Sequence, residues 1–257
     1  MPDVPTIDMR EELLGRHAAT IQGLHRLSMR VPIERWAVVG GLMVLAIGYE
    51  YETTPWRASQ TKDADVVVDV VAARSVLEDA IHALLEQGFE LAASVGSGPD
   101  VSRCTFTYYR SQIDLLCPSD AEPEMLDSAE GLRSVAIPGG RRALDSARNV
   151  SLFFADDYHD VLLRLPDLAG AIMTKAAAAA DPRTSDGERH IQDVAFLLSL
   201  RFDLDAVAAE LRAGDRAVLD SIDALLRDST GPAWDGCSRE ERDRSLIAFD
   251  TFLRRST

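Results

Sequence analysis

The sequence predicts an α/β chain of the α+β kind: a small mixed β-sheet with flanking helices over residues 1–160, then a helical bundle over residues 161–257. Three observations carry that expectation. β-Branched and aromatic runs bounded by Gly, Pro and Asp concentrate before residue 160. Apolar residues at helical period follow one another from about Asp160 to the end. Between them, "RWAVVGG" runs directly into "LMVLAIGYE", a strand turning through two glycines into a buried helix. A chain of 257 residues is long enough for one large domain or two modest ones.

Taken in order, residues from about Ile7 to Met29 space Leu13, Leu14, Ile21, Leu24 and Leu27 as an amphipathic opening helix would. The Gly40–Gly41 turn and its helix follow. "TKDADVVVDV" then reads as a strand, because clustered valines suit a pleated surface. "SVLEDAIHALLEQGF" reads as a helix with Ser75 and Glu78 as a capping box and Gly88 as the stop. "FELAASVGSGPDVSRCTFTYYR" predicts strand, glycine-rich turn and strand, and "SQIDLLCP" a further strand ended by Pro118. The stretch from Ser119 to Ala136 is acidic and loop-like, and "IPGGRRALD" adds a turn. "PDLAGAIMTKAAAAA" and "RTSDGERHIQDVAFLLSL" open the helical half, with two or three more helices behind them.

Composition narrows the function classes. Hydrophobic residues at 46% and charged residues at 27% suit a soluble globular protein. The polar, acidic start "MPDVPTIDMREELLG" does not read as a signal peptide, and "WAVVGGLMVLAIGY" is too short and glycine-broken to cross a bilayer. No membrane partner is therefore expected. Cys104, Cys117 and Cys237 lack metal-ligand spacing and suit a reduced compartment, so the expected location is the cytoplasm. Five scattered histidines argue against a zinc enzyme. A net charge of −15 argues against a general nucleic-acid coat while leaving room for a local basic groove. Of 27 basic residues only two are lysine, Lys62 and Lys175. In a chain that otherwise uses arginine, a retained lysine suggests a need for a compact ammonium group.

The candidate site comes from three features. Asp63 and Asp65 stand two apart on a strand and so share a face, where parallel carboxylates repel unless a cation or proton lies between them. The Gly40–Gly41 turn offers backbone N–H groups and a helix dipole to a phosphate. Asp114 lies among Ile113, Leu115 and Leu116, where a carboxylate is expensive to bury without a partner. Each also has a plain reading: a strand-end charge, an ordinary turn, an acid facing water, and for Lys175 a solvated lysine on an alanine helix. Placed on neighbouring strands, Asp63, Asp65 and Asp114 would gather three carboxylates around one or two Mg²⁺ ions, which take hard oxygen ligands and share them with substrate phosphates. That is a nucleotidyl-transfer arrangement with an NTP as substrate.

At these residues the chain resembles a known family. "VVGG", then "TKDAD", then "QIDLL" is similar to the polymerase-β-like nucleotidyltransferase superfamily. "PDLAGAIMTK", then Arg183, then "ERHIQDVAFLL" resembles its AbiEii and MenT-type toxin branch, over roughly Val38 to Leu200. The resemblance implies the nucleotidyltransferase fold over 1–160, with residues 161–257 completing the nucleotide site. It implies that Gly40 and Gly41 hold the triphosphate, that Asp63 and Asp65 bind magnesium, and that Asp114 completes the metal site and helps deprotonate the acceptor. Thr61 and Lys62 would border the nucleotide. Lys175 would contact its phosphates, helped by Arg183 or Arg189, with Asp193 orienting Lys175 or an arginine. Departures from the branch are Ser59 where an arginine is common, His190 where an acid is common, and a long run from Gly41 to Asp63, expected to form an insertion over the site.

The implied function is the toxin of a toxin–antitoxin pair, adding NMP to the 3′ end of tRNA and blocking aminoacylation, with a cognate antitoxin as partner. Arg141, Arg142 and Arg148 are candidates for a local basic stripe toward tRNA. The alternative is transfer to a small-molecule hydroxyl, as in antibiotic modification, which the acidic surface suits. A binding module without activity ranks last, since no metal-site acid is missing. Thr61, two before Asp63, is a candidate phosphorylation switch, because the modification adds about two negative charges beside the acids.

Overall fold

The valine-rich run is a strand, and the larger sheet is organised around it. The computed structural model describes residues 4–9, 18–56, 63–92, 104–129, 131–153, 160–184 and 186–255. The chain opens with β1 (Thr6–Asp8) and α1 (Ala18–Arg30), then β2 (Trp36–Val39) leads into α2 (Gly40–Glu50). Next come β3 (Asp63–Val68), α3 (Ser75–Glu86), β4 (Glu90–Leu91), β5 (Thr105–Tyr108) and β6 (Ser111–Pro118). β7 (Val135–Ile137), α4 (Gly140–Ser146), β8 (Ala147–Phe153) and β9 (Val161–Pro166) complete the strand-rich part. Five helices follow: α5 (Leu168–Ala180), α6 (Gly187–Ser199), α7 (Leu204–Ala209), α8 (Asp215–Arg227) and α9 (Arg239–Arg255). The chain is thus a mixed α/β protein with a C-terminal helical region. Among the described residues no helix is long and apolar enough to cross a membrane.

The larger sheet is mixed, in the order β2-β3-β6-β5-β4, with β7 pairing β6. β2 and β3 are antiparallel, and β3 and β6 are parallel. β6 alternates a buried row, Ser111, Ile113, Leu115 and Cys117, with a row of Gln112, Asp114 and Leu116 on the opposite face. This is the period-two pattern of a sheet packed on one side only. The buried apolar residues form one cluster running from Ile7 to Phe252, so the sheets and the helical region share a core.

Several expectations from the sequence change. Ile7 belongs to a strand, not to the opening helix: Thr6–Asp8 pairs in parallel with Ser151–Phe153, and Ile7 is buried by that pairing. The helix is described from Ala18, and residues 10–17 lie outside the description. The Ser75–Glu78 capping box does not form. Arg74 already has helical dihedrals (φ −60, ψ −35), so Ser75 lies inside the helix, and Glu78 accepts a hydrogen bond from the Ala129 N–H at 3.1 Å instead. Gly88 does follow the end of α3, at φ +91.

"IPGGRRALD" is a turn only as far as Gly139 (φ +74), after which α4 begins. Strands also extend past residue 160. β9, "VLLRLP", pairs antiparallel with β8, and a short continuous apolar run of this kind does not reveal its type by periodicity. The run after α2 does not cover the site in its described part. The Trp56 indole N–H donates to Glu241 at 3.2 Å, and its ring meets Phe196 edge-on at 5.7 Å, so the segment packs on the helical region. Thr61 and Lys62 lie outside the described residues.

A buried ion pair joins the two regions. Arg142 Nε on α4 lies 3.3 Å from Asp215 Oδ2 on α8, and Arg142 Nη2 donates to the Glu210 carbonyl at 2.8 Å. Asp215 Oδ2 also accepts from the Arg212 N–H at 2.9 Å. Removing one member of such a pair leaves the other charge buried without compensation. Asp215→Ala is expected to lower unfolding free energy by about 3 kcal/mol, measured by urea denaturation.

Candidate active site

The site begins with register. Asp65 on β3 stands directly opposite Asp114 on β6, and Asp63 opposite Gln112. In parallel strands, residues in register project from the same face, so the carboxylates of Asp65 and Asp114 lie side by side. On the other flank of Asp65, the antiparallel register sets Val39, the residue before α2. Gly40, at φ +68, is the first residue of that helix, and a Cβ there would sit 1.7 Å from Asp65 Oδ2. The glycine is therefore required twice: for its backbone conformation and for the space that the Asp65 carboxylate fills.

Asp114 is held by its neighbours on the sheet. Its Oδ1 accepts from Thr105 Oγ1 at 2.5 Å across β5, and its Oδ2 accepts from Gln112 Nε2 at 2.8 Å along β6. Asp65 is different. Burial pushes its carboxyl up to about 6 from 3.8, and the Asp114 charge pushes the same way. Lys175 opposes that rise, and Asp63 adds to it more weakly. Asp63 itself is exposed at the start of β3.

Facing the acids is α5. Its start is fixed by Asp167, whose side chain accepts from the Gly170 N–H at 2.6 Å. Thr174 Oγ1 donates within the helix to the Gly170 carbonyl at 2.7 Å, and Gly139 packs so tightly on the helix that a Cβ would lie 2.8 Å from the Thr174 Cα. These contacts set the depth of Lys175, only 4% exposed, whose Nζ pairs with Asp193 Oδ2 of α6 at 2.8 Å.

Gly40, Asp65 and Lys175 line one cleft of about 580 Å³, counting its solvent-filled mouth. Leu116, Ile137, Pro138, Ala178, Thr184 and His190 contribute to its walls. An adjoining groove shares Ile137, Pro138 and Thr184 and carries Arg183, which is bound by its guanidinium to Asp181. Arg189 lies outside the cleft wall and faces Asp186 on the first turn of α6 at 3.4 Å. Gly41 lies in the first turn of α2, beside the cleft but not in its wall.

The sequence thus named Gly40, Asp63, Asp65, Asp114, Lys175 and Asp193, and the fold brings these together. Arg183 sits in the neighbouring groove and Arg189 on an exposed face. Thr105, Gln112 and Thr174 escaped the reading, while His190, noted only as a departure from the branch, lies in the cleft wall. Gln112 had a signal, two residues before Asp114 on the same strand face; Thr105 had none, because cross-strand register is not written in local sequence.

The donor set suits a hard divalent cation. Asp65 and Asp114 present carboxylate oxygens that disfavour each other when both are ionised, and Asp63 shares their face. Among the described residues no three His, Cys, Asp or Glu side chains close into a complete ligand cluster. Magnesium is commonly held by one or two carboxylates with waters and substrate phosphates, so a closed protein cage is not needed for the fit.

No protein-family model matches the chain, and comparison with curated proteins gives no match.

A folded-state pKa above the unfolded value means that ionised Asp65 weakens the fold. Without a cation, its share of stability is intact below about pH 3.8 and is lost as pH rises through about 6. Asp65→Asn removes that loss. Its stability relative to the parent protein is expected to rise by the order of 2 kcal/mol between pH 4 and pH 7, measured by denaturation in EDTA.

Proposed function

We propose that the chain is a magnesium-dependent nucleotidyltransferase of the polymerase-β-like type, acting as a toxin that transfers NMP from an NTP to the 3′ end of tRNA. The observation that carries this reading is Asp65, set in parallel register beside Asp114 and sharing one cleft with Gly40 and Lys175. Two half-buried like charges side by side are costly and call for a cation or proton. A glycine at a helix start and a buried lysine on the opposite wall suit the phosphates of a nucleotide.

In this reading Asp63, Asp65 and Asp114 hold magnesium together with phosphate oxygens of the substrate. Bound magnesium would supply positive charge to the triphosphate and acidify the acceptor hydroxyl. The N–H groups at the start of α2, at Gly40 and Gly41, hold the triphosphate. Lys175 Nζ, kept in place by Asp193, meets the same phosphates from the other side, and Arg183 reaches them from the adjoining groove. A carboxylate oxygen of Asp114 takes the proton of the acceptor hydroxyl as its oxygen bonds to the α-phosphorus and pyrophosphate leaves. Thr105 and Gln112 hold that carboxylate still.

A second reading, transfer to a small cationic acceptor such as an aminoglycoside, is favoured by the net charge of −15 and by the state of the basic residues. Arg141 is bound to Asp69 and Asp120, Arg142 to Asp215 and Arg148 to Glu50, so these three are committed to acids of the same chain.

The test is a transfer assay with purified protein, Mg²⁺, each α-labelled NTP in turn and total tRNA. Label is expected on the tRNA 3′ end, with Asp65→Ala reducing it by about a thousand-fold or more. Mg·NTP binding without label on RNA moves the acceptor to a small molecule. Failure to bind Mg·NTP removes the reading.

A further inference from the structure

The hairpin between β5 and β6 carries features that the acid cluster does not use. Tyr108 pairs with Ser111, leaving Tyr109 and Arg110 as its two-residue turn. Tyr109 is 91% exposed, the most open of the large apolar side chains described. It also adopts φ +54, one of two described non-glycine residues with positive φ, at a turn position where Gly, Asn or Asp is favoured. An aromatic residue kept in such a conformation points to a use for its ring. The ring is propped in place: it stands edge-on to Tyr108 at 4.7 Å, and Tyr108 leans on buried Phe89 at 5.5 Å.

Beside it, Arg110 is exposed and makes no hydrogen bond or ion pair among the described residues. In a chain with 42 acids and 27 basic residues, where most described arginines are paired, a free guanidinium beside an exposed ring is unusual. The tip is also joined to the site. Gln112 and Asp114 of β6, with Thr107 and Thr105 opposite them on β5, form a polar track along the open face of the sheet. Asp114 lies five residues from Tyr109, about 16 Å along a strand.

We propose that this hairpin tip docks the single-stranded end of the nucleic-acid acceptor, with Tyr109 stacking on an unpaired base and Arg110 taking the adjacent phosphate. The proposal rests on the nucleotidyltransferase reading for its acceptor. An unpaired base offers a face to such a ring, whereas a base inside a duplex does not. A single stacking platform with one cation confines attraction to the strand end, as an otherwise acidic surface requires.

The experiment is anisotropy of a short fluorescent single-stranded RNA with a free 3′-hydroxyl, titrated with the full chain as parent protein, Tyr109→Gly, Tyr109→Phe and Arg110→Ala. Glycine suits the positive φ, so Tyr109→Gly keeps the hairpin, checked by an unchanged melting temperature. Tyr109→Gly is expected to weaken RNA binding about ten-fold, Tyr109→Phe to retain it, and Arg110→Ala to reduce its salt dependence. Equal RNA binding by the parent and Tyr109→Gly, or no RNA binding by the parent, overturns the proposal. Mg·NTP binding by the same proteins separates the two ideas. Retained Mg·NTP binding with RNA affinity insensitive to Tyr109 sinks the docking site alone. Tyr109-dependent RNA binding without Mg·NTP binding upholds the docking site and sinks the reading of the acids.

Discussion

Two carboxylates on adjacent parallel strands, Asp65 and Asp114, set the terms for the structure around them. Strands in a sheet are about 4.8 Å apart, so charges in direct register cannot avoid each other by moving along the chain. The surroundings answer this in different ways for the two acids. Asp114 receives two hydrogen bonds, from Thr105 and Gln112, that fix its carboxylate in place. Asp65 is pressed into the space left by Gly40 and carries most of the penalty. A fold built only for stability has little reason to keep an acid there, and such local inconsistencies tend to mark functional sites.

The opposing charge comes from the helical region. Lys175 is buried on α5 and paired with Asp193 on α6, while an N-cap at Asp167 and close packing at Gly139 fix where α5 lies. A buried ion pair is seldom a net gain in stability. Here it holds an ammonium group in a fixed position across the cleft from the acids. The shared core and the Arg142–Asp215 pair keep the two walls in one relation. The cleft is thus a property of both regions together.

Over the whole chain, acids outnumber basic residues by 42 to 27. Arginines that look available in sequence, such as Arg141, Arg142 and Arg148, are spent on acids of the same chain. Their function in the fold is cohesion between elements. Arg110 differs because it has no acid partner among the described residues and stands next to a ring fixed by Tyr108 and Phe89.

The sequence by itself determined the elements that form the candidate site. Valine clustering marked β3, the glycine pair marked the turn into α2, and the alternation of "SQIDLLCP" marked β6, because strand and turn preferences act over a few neighbouring residues. The rarity of lysine singled out Lys175. What it did not contain was pairing. Ile7 looked helical until β8 claimed it, the capping box gave way to a contact between Glu78 and Ala129, and "VLLRLP" became a strand beside β8. Thr105 entered the site through a cross-strand register, and Arg183 and Arg189 each pair with an acid nearby in the chain, Arg183 in the adjoining groove. These outcomes depend on which distant segments come together, and only the tertiary structure decides that, because register and burial are set by the whole packed core.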